Sequence, residues 1–446
     1  MLLFISNVPR AYSWGSVDVL PEMLGIDSNG EPQAELWLGD HPGSPASLAK
    51  GPHPPLTLID LIAKDPVRYG VNGGPLPFLL KVLAIGAPLS LQVHPSREQA
   101  KQGFLKETSA GVPVESPERC YRDENHKPEL LVALSEVTAL SGFRSIVETV
   151  ADMRALASLA PDGGQALLAA AERLGHGVGD TARQEFLQWA FGDPVGTSAV
   201  LEDIEAALNV WEERWAFHGA VGRQDSFEGV NADRANALRM LIEHHAGDPG
   251  VLVSLLLHCV RLNPGEAIFL APQQLHAYLS GVAVEVMAAS DNVLRAGLTD
   301  KHIDAEELLR ILDYGALPEP RFSATAVLPG LCAWNPKVQD FQLLRARVRT
   351  QVNEGAHSPW AGPGDGNLLA HSSTSASTDA SAQSVSISAP TPLVLIVTTG
   401  RVLVTRSGND LAEFANVARG QSLYVSAGEP IRLSGDGEAF LATTGG

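Results

Sequence analysis

Three cysteines among 446 residues are too few and too scattered for a disulfide framework. Cys120, Cys259 and Cys332 form no CxxC pair, which excludes a cysteine-built zinc site and points to a reducing, cytoplasmic setting. Positive charge is scarce as well. The chain has 32 Lys and Arg against 51 Asp and Glu, a formal net charge of −19. That balance argues against nucleic acid and anionic membrane as partners, and it requires any pocket for an anion to be locally positive. No uninterrupted apolar run approaches the length of a membrane span. The first seven residues are apolar, but they are short and lack the basic flank of a secretory leader.

Hydrophobic residues at 45% and charged residues at 19% describe a soluble protein with a sizeable core, long enough for two or three domains. Residues 1–144 read as short strands and turns, with helical spacing over Thr57–Lys64 and Ser96–Leu105. Residues 145–248 are rich in Ala, Leu, Glu and Arg and read as a helical insertion, a scaffold or a lid. β texture returns over 249–321, beginning with Val251–His258, and a helix of Asp304–Asp313 opens on Asp304 as its N-cap. Residues 1–144 and 249–321 are expected to form one metal-binding unit. Residues 322–446 form a second β unit, with a low-complexity loop near 355–390 that includes Ser372–Ser388. A faint repeat, Gly265–Pro272 against Gly420–Ala427, suits two barrels of which the first alone has a following histidine, His276.

Three stretches hold the chemistry. Leu89–Pro95 alternates, so Leu89, Leu91 and Val93 point one way and Ser90, Gln92 and His94 the other. The polar face has no long charged side chain to solvate it, which suits a pocket. Tyr121–Glu129 leads into an apolar run with Lys127 and Glu129 on one face; burying both needs partners. His276–Lys301 supplies His276, Glu285, Asp291, Asn292, Arg295 and Lys301 within one short region. Two histidines, a carboxylate and an amide on three strands can hold a divalent metal with an open position; zinc, iron and manganese all suit such donors.

Tyr121–Glu129 and His276–Lys301 resemble the two signature stretches of the type I mannose-6-phosphate isomerases, zinc enzymes of the cupin fold. Tyr12–Gly15, Ala34–Gly39, Phe78–Leu83 and Leu89–Pro95 agree with it, in order. One departure is Asp300, where the family usually has proline. The resemblance implies a mainly β fold, two cupin-type jelly-roll barrels with the α-helical insertion. It implies one zinc per chain on Gln92, His94, Glu129 and His276, with Arg295 as the active-site arginine. Its sugar and phosphate positions fall on Trp14, Lys81, Ser90, Lys127, Glu285 and Lys301.

The implied reaction interconverts D-mannose 6-phosphate and D-fructose 6-phosphate through an enediol, in a cytoplasmic monomer whose partner is the small sugar phosphate alone. Glu285, Lys127 and a metal-bound water all meet the requirement for a base. Lys81, interrupting an apolar strand, is expected to await the substrate phosphate as its partner. His126 is expected to bond within its turn, and His41, His258 and His302 to be structural or exposed. The second β unit, with His357 and His371, is expected to bind no metal. The rival readings are a cupin metal oxygenase and a non-catalytic sugar-binding cupin.

Overall fold

Strand Phe78–Ile85 is buried along its whole length because it has a strand on each edge, Glu35–Leu38 on one and His276–Ala288 on the other. With no wet face, its sequence is almost continuously apolar. Leu80, Val82 and Ala84 point into a core shared with a second sheet, while Leu83 and Ile85 point into the interior of their own. Lys81 shares the face of Leu83.

The computed structural model describes residues 1–49, 56–218, 226–227, 229–350, 381–407 and 412–445. Among these are two large antiparallel sheets of nine and ten strands. The mainly β fold with a helical insertion is as expected. In the nine-stranded sheet His276–Ala288 is the spine. It pairs with Phe78–Ile85, Glu129–Ala133 and Val137–Phe143, and through His276 with Gln92. The ten-stranded sheet stacks on its back, with Phe341, Leu343, Ile396 and Phe440 meeting Leu80, Val82, Leu130 and Val284 in the shared core.

Helices run from Ile146 to Ser254, interrupted by a small hairpin of Ser226–Phe227 and Val230–Asn231. Ser145 caps the first, accepting from Glu148 N–H. Their core, including Met153, Leu156, Phe186 and Leu208, continues into Leu91, Val93, Ala277, Leu294 and Ala296 of the sheet. Of scaffold and lid, the packing is that of a scaffold behind those strands.

Four boundaries differ from expectation. Pro249–Ser254 is a helix and the strand starts only at Leu257, because Asp248 caps the turn and Pro249 stands where its missing N–H costs nothing. Strand Leu2–Ser6 pairs with Ser422–Val425 and so belongs to the second sheet. Leu89 lines a cavity alongside Ser90, since the strand begins at Leu91. Ser384–Ala389, placed in the low-complexity loop, is a strand: Val385, Ile387 and Ala389 are buried and the serines between them are not. Residues 355–380 of that loop, with His357 and His371, lie outside the described residues.

Gly265 and Gly420 both have positive φ and each precedes a short strand, Ala267–Leu270 and Ser422–Val425.

Candidate metal centre

Period-two alternation builds the site. Leu91, Val93, Leu275, Ala277, Leu294 and Ala296 all enter the helical core. Gln92, His276, Tyr278 and Arg295 therefore face the other side. Gln92 stands opposite His276 on one edge and Arg295 on the other, so the three form one row across the sheet.

The donor atoms of His94, Glu129 and His276 lie within 4.8 Å of one another, and all three residues are buried. His94 Nε2 is 3.3 Å from Glu129 Oε1, and His276 Nε2 is 3.5 Å from Oε2. Each ring turns Nδ1 toward a backbone carbonyl, that of Asn292 at 2.7 Å and that of Gln274 at 2.9 Å. A carbonyl only accepts, so Nδ1 holds the proton and Nε2 presents a lone pair to the carboxylate. Burial, then the Lys127 ammonium, pushes the His94 imidazole down to about 4, so protonation does not relieve the conflict near neutral pH. His94 Nε2 is left buried without a hydrogen-bond partner. A divalent cation among these atoms removes the repulsion, and the carbonyls orient the rings for it. Among the described residues no other His, Cys, Asp or Glu group is arranged this way.

A cavity of about 60 Å³ opens beside the cluster, lined by Lys81, Ser90, Gln92, Lys127, Glu129, His276 and Glu285, together with Glu35 and Tyr278. Two ammonium groups (Lys81, Lys127) against three carboxylates (Glu35, Glu129, Glu285) sum to a formal −1, which a divalent ion turns to +1. Gln92 Nε2 donates to Ser90 Oγ at 3.0 Å, leaving its carbonyl oxygen for a metal.

Lys81 does not wait for an outside anion. Its Nζ lies 3.4 Å from Glu35 and 3.2 Å from Glu285, and although burial opposes the charge, the two carboxylates hold the proton on. Glu285 is pushed up by burial and by Glu129, against Lys81. Tyr278 Oη donates to Glu285 at 3.0 Å. Lys127 Nζ is 3.0 Å from Glu129 Oε1. Burial alone would raise the Glu129 carboxyl; the Lys127 ammonium, foremost, brings it well below the usual range.

Arg295, Lys301 and Trp14 are not among the residues lining this cavity. Arg295 flanks it, beside Gln92, with Nε buried and unpaired. Lys301 lies over the Tyr12 ring at 6.0 Å, and Tyr12 stacks on Trp14. Burial, then Arg122, lowers the proton affinity of Arg295; burial, then Arg295 and Arg122, does the same to Lys301. These three cations repel one another.

Sequence reasoning passed over Glu35, Tyr278 and Arg122. The signal was present for two: Glu35 shares a face with Trp37, whose Nε1 donates to it at 2.5 Å, and Tyr278 stands two residues from His276. His126 bonds not within its turn but to Asp340, at 2.8 Å. His41 is buried, accepting from Gly43 N–H; His258 reaches the Leu317 carbonyl; His302 is exposed. Asn292 is scaffold, tying down Arg122, Asp123 and Asn125. Asp291 is exposed, 3.5 Å from His41. Asp300 is also exposed, and Asp248 holds the turn before it, accepting from Leu298 N–H at 2.7 Å. That anchor does without the family's proline.

Residues 2–146 match the family profile described as "Phosphomannose isomerase type I, catalytic domain". The mannose-6-phosphate isomerase of Escherichia coli K12 is 36% identical over 330 residues, 73% of this chain and 78% of that protein. The human mannose-6-phosphate isomerase is 30% identical over 380 residues, 78% of this chain and 83% of its own. The crystal structure of an alanine mutant of phosphomannose isomerase from Salmonella typhimurium superposes with a TM-score of 0.79 at 28% identity, covering 100% of this chain and 99% of that one. A zinc-bound mannose 6-phosphate isomerase structure gives the same TM-score, identity and coverage. By sequence over three-quarters of its length and by fold over all of it, this chain belongs to the mannose-6-phosphate isomerase family.

Proposed function

We propose that the chain interconverts D-mannose 6-phosphate and D-fructose 6-phosphate, with one zinc ion held by Gln92, His94, Glu129 and His276. The observation that supports this most is the inward-facing pair of imidazole lone pairs across Glu129, in a chain of this family. When bound, the zinc supplies Lewis-acid polarisation to the sugar oxygens at the reacting carbons.

The chain's own residues do the rest. Glu285 is read as the proton carrier, taking the proton from C2 of the open-chain aldose and returning it to C1 while a hydroxyl proton passes from O2 to O1. Its support is a buried carboxyl with raised proton affinity, held by Tyr278 and Lys81. Arg295, in register with Gln92, steadies the charge that develops on oxygen. Lys127 adds a second cation inside the cavity. Lys301 and Arg122, both outside any ion pair among the described residues, receive the phosphate, with Ser90 and Trp14 as walls. A remote phosphate anchor supplies binding energy that fixes the reacting carbons.

A cupin oxygenase would account for the ligands and leave Lys127, Arg295 and Lys301 without a role. We read the chain as a metal-binding unit (1–144 with 249–321, less the strand Leu2–Ser6 that joins the second sheet and the helix Pro249–Ser254 that continues the insertion), a helical insertion from residue 145 and a metal-free β unit (322–446). The whole is read as a cytoplasmic monomer; no described helix is long and apolar enough to cross a membrane.

A coupled assay for fructose 6-phosphate, run with mannose 6-phosphate and with mannose, tests this reading. Turnover of the phosphorylated sugar alone is expected. No turnover by zinc-loaded protein contradicts it.

A further inference from the structure

We infer that Asp340, two residues before strand Gln342–Val348 of the second sheet, is a positioning residue for the catalytic segment 121–129; the inference rests on the isomerase reading above. The fastenings of that segment are uneven. Tyr121 Oη donates to Glu307, Asn292 Oδ1 accepts from the backbone N–H of Arg122 and Asp123, and Asn292 Nδ2 donates to the Asn125 carbonyl. From Pro128 onward the sheet takes over: Ala288 N–H donates to the Pro128 carbonyl, and Glu129 pairs opposite Met287. Between these anchors stand His126 and Lys127, and among the described residues neither has a backbone hydrogen bond.

Side chains alone hold those two. His126 Nε2 donates to Asp340 Oδ2 at 2.8 Å, and Arg97 Nη2 donates to Asp340 Oδ1 at 3.2 Å. Arg97 Nη2 lies 2.8 Å from the same imidazole nitrogen, and since both donate, it is the shared Asp340 carboxylate that holds them side by side. Asp340 is itself a fixed post. It is buried, and the next residue, Phe341, is fully buried in the core that the two sheets share. The two neighbouring side chains reach opposite ways: His126 back to Asp340, and Lys127 forward into the cavity to 3.0 Å from Glu129. Fixing the one sets the other. The second sheet, although it holds no metal group among its described residues, contributes to catalysis through this one carboxylate.

The test uses full-length, zinc-loaded enzyme carrying His126→Ala, Asp340→Ala, both together, or Asp340→Asn. Both single alanine variants are expected to keep parental zinc content and to lose about tenfold in kcat, as for other residues that orient a metal site from behind, with KM within about twofold. The double variant is expected to be no worse than either single, because one bond is lost in all three. Asp340→Asn keeps an acceptor oxygen for His126 and is expected to recover most of kcat, which a merely structural role would not require. Parental kcat per bound zinc in both alanine variants overturns the inference, as does an Asp340→Asn enzyme no better than Asp340→Ala. If Asp340→Ala fails to fold, His126→Ala against Asp340→Asn makes the same comparison. An inactive parent enzyme would instead refute the isomerase reading.

Discussion

Lys81 Nζ stands 3.2 Å from Glu285 Oε2, both side chains buried, and the pair faces the cavity from neighbouring strands that place the two residues directly opposite each other. An ammonium interrupting an apolar strand suggests a cation waiting for substrate. Here the counter-charge is built in, as Glu285 and Glu35. Lys81→Ala therefore leaves two buried carboxylates uncompensated. It is expected to cost about 3–5 kcal/mol of stability, the usual result of breaking a buried pair from one side. Denaturant unfolding of parent and variant measures it. A variant as stable as the parent, with only a raised KM, would return Lys81 to the role of phosphate clamp.

Arg295 and Lys301 are expected to separate kinetically. Arg295 neighbours Gln92 across the strand pair, so Arg295→Ala should keep zinc and lose roughly 10²–10³ in kcat. Lys301, further out beside Tyr12, should when changed to Ala raise KM for mannose 6-phosphate more than it lowers kcat. Steady-state kinetics on both variants decides, and the opposite pattern would exchange the two roles.

Stability near the first signature segment should depend on pH through Glu307. Two hydrogen bonds from Arg310, then the Tyr121 hydroxyl, bring its carboxyl down to about 2 from an ordinary 4.5. A depressed carboxyl stabilises the fold fully above its unfolded value and loses that contribution as pH falls through the folded one. Glu307→Gln is thus expected to be less stable than the parent near neutral pH. The gap should close as pH drops from about 4.5 toward 2. Unfolding midpoints across that range are the measurement; a gap that holds or widens in acid contradicts the assignment.

Much of the site was legible because alternation on a strand is a local property. Gln92 and His94 could be placed on one face from seven residues of sequence, and His276 could be joined to them by donor chemistry. What needed coordinates was anything set by pairing across distant segments. Glu35 lies 46 residues before Lys81 (81 − 35) and meets it through the strand pairing of Trp37 with Lys81. Asp340 reaches His126 from another sheet, 214 residues away. Pro249–Ser254 misled for a different reason. Its run of Val and Leu looks β-forming, and only the Asp248 cap and Pro249, both visible in the sequence, marked a helix.

On the isomerase reading, turnover depends on a metal held at His94, Glu129 and His276. The most direct test strips the protein with a chelator and restores zinc in measured steps, following fructose 6-phosphate formation from mannose 6-phosphate. Activity should vanish on stripping and return in proportion to zinc, saturating at about one ion per chain, while Glu129→Gln stays inactive at the same zinc concentrations. Full activity in protein shown to hold no divalent ion would contradict the account.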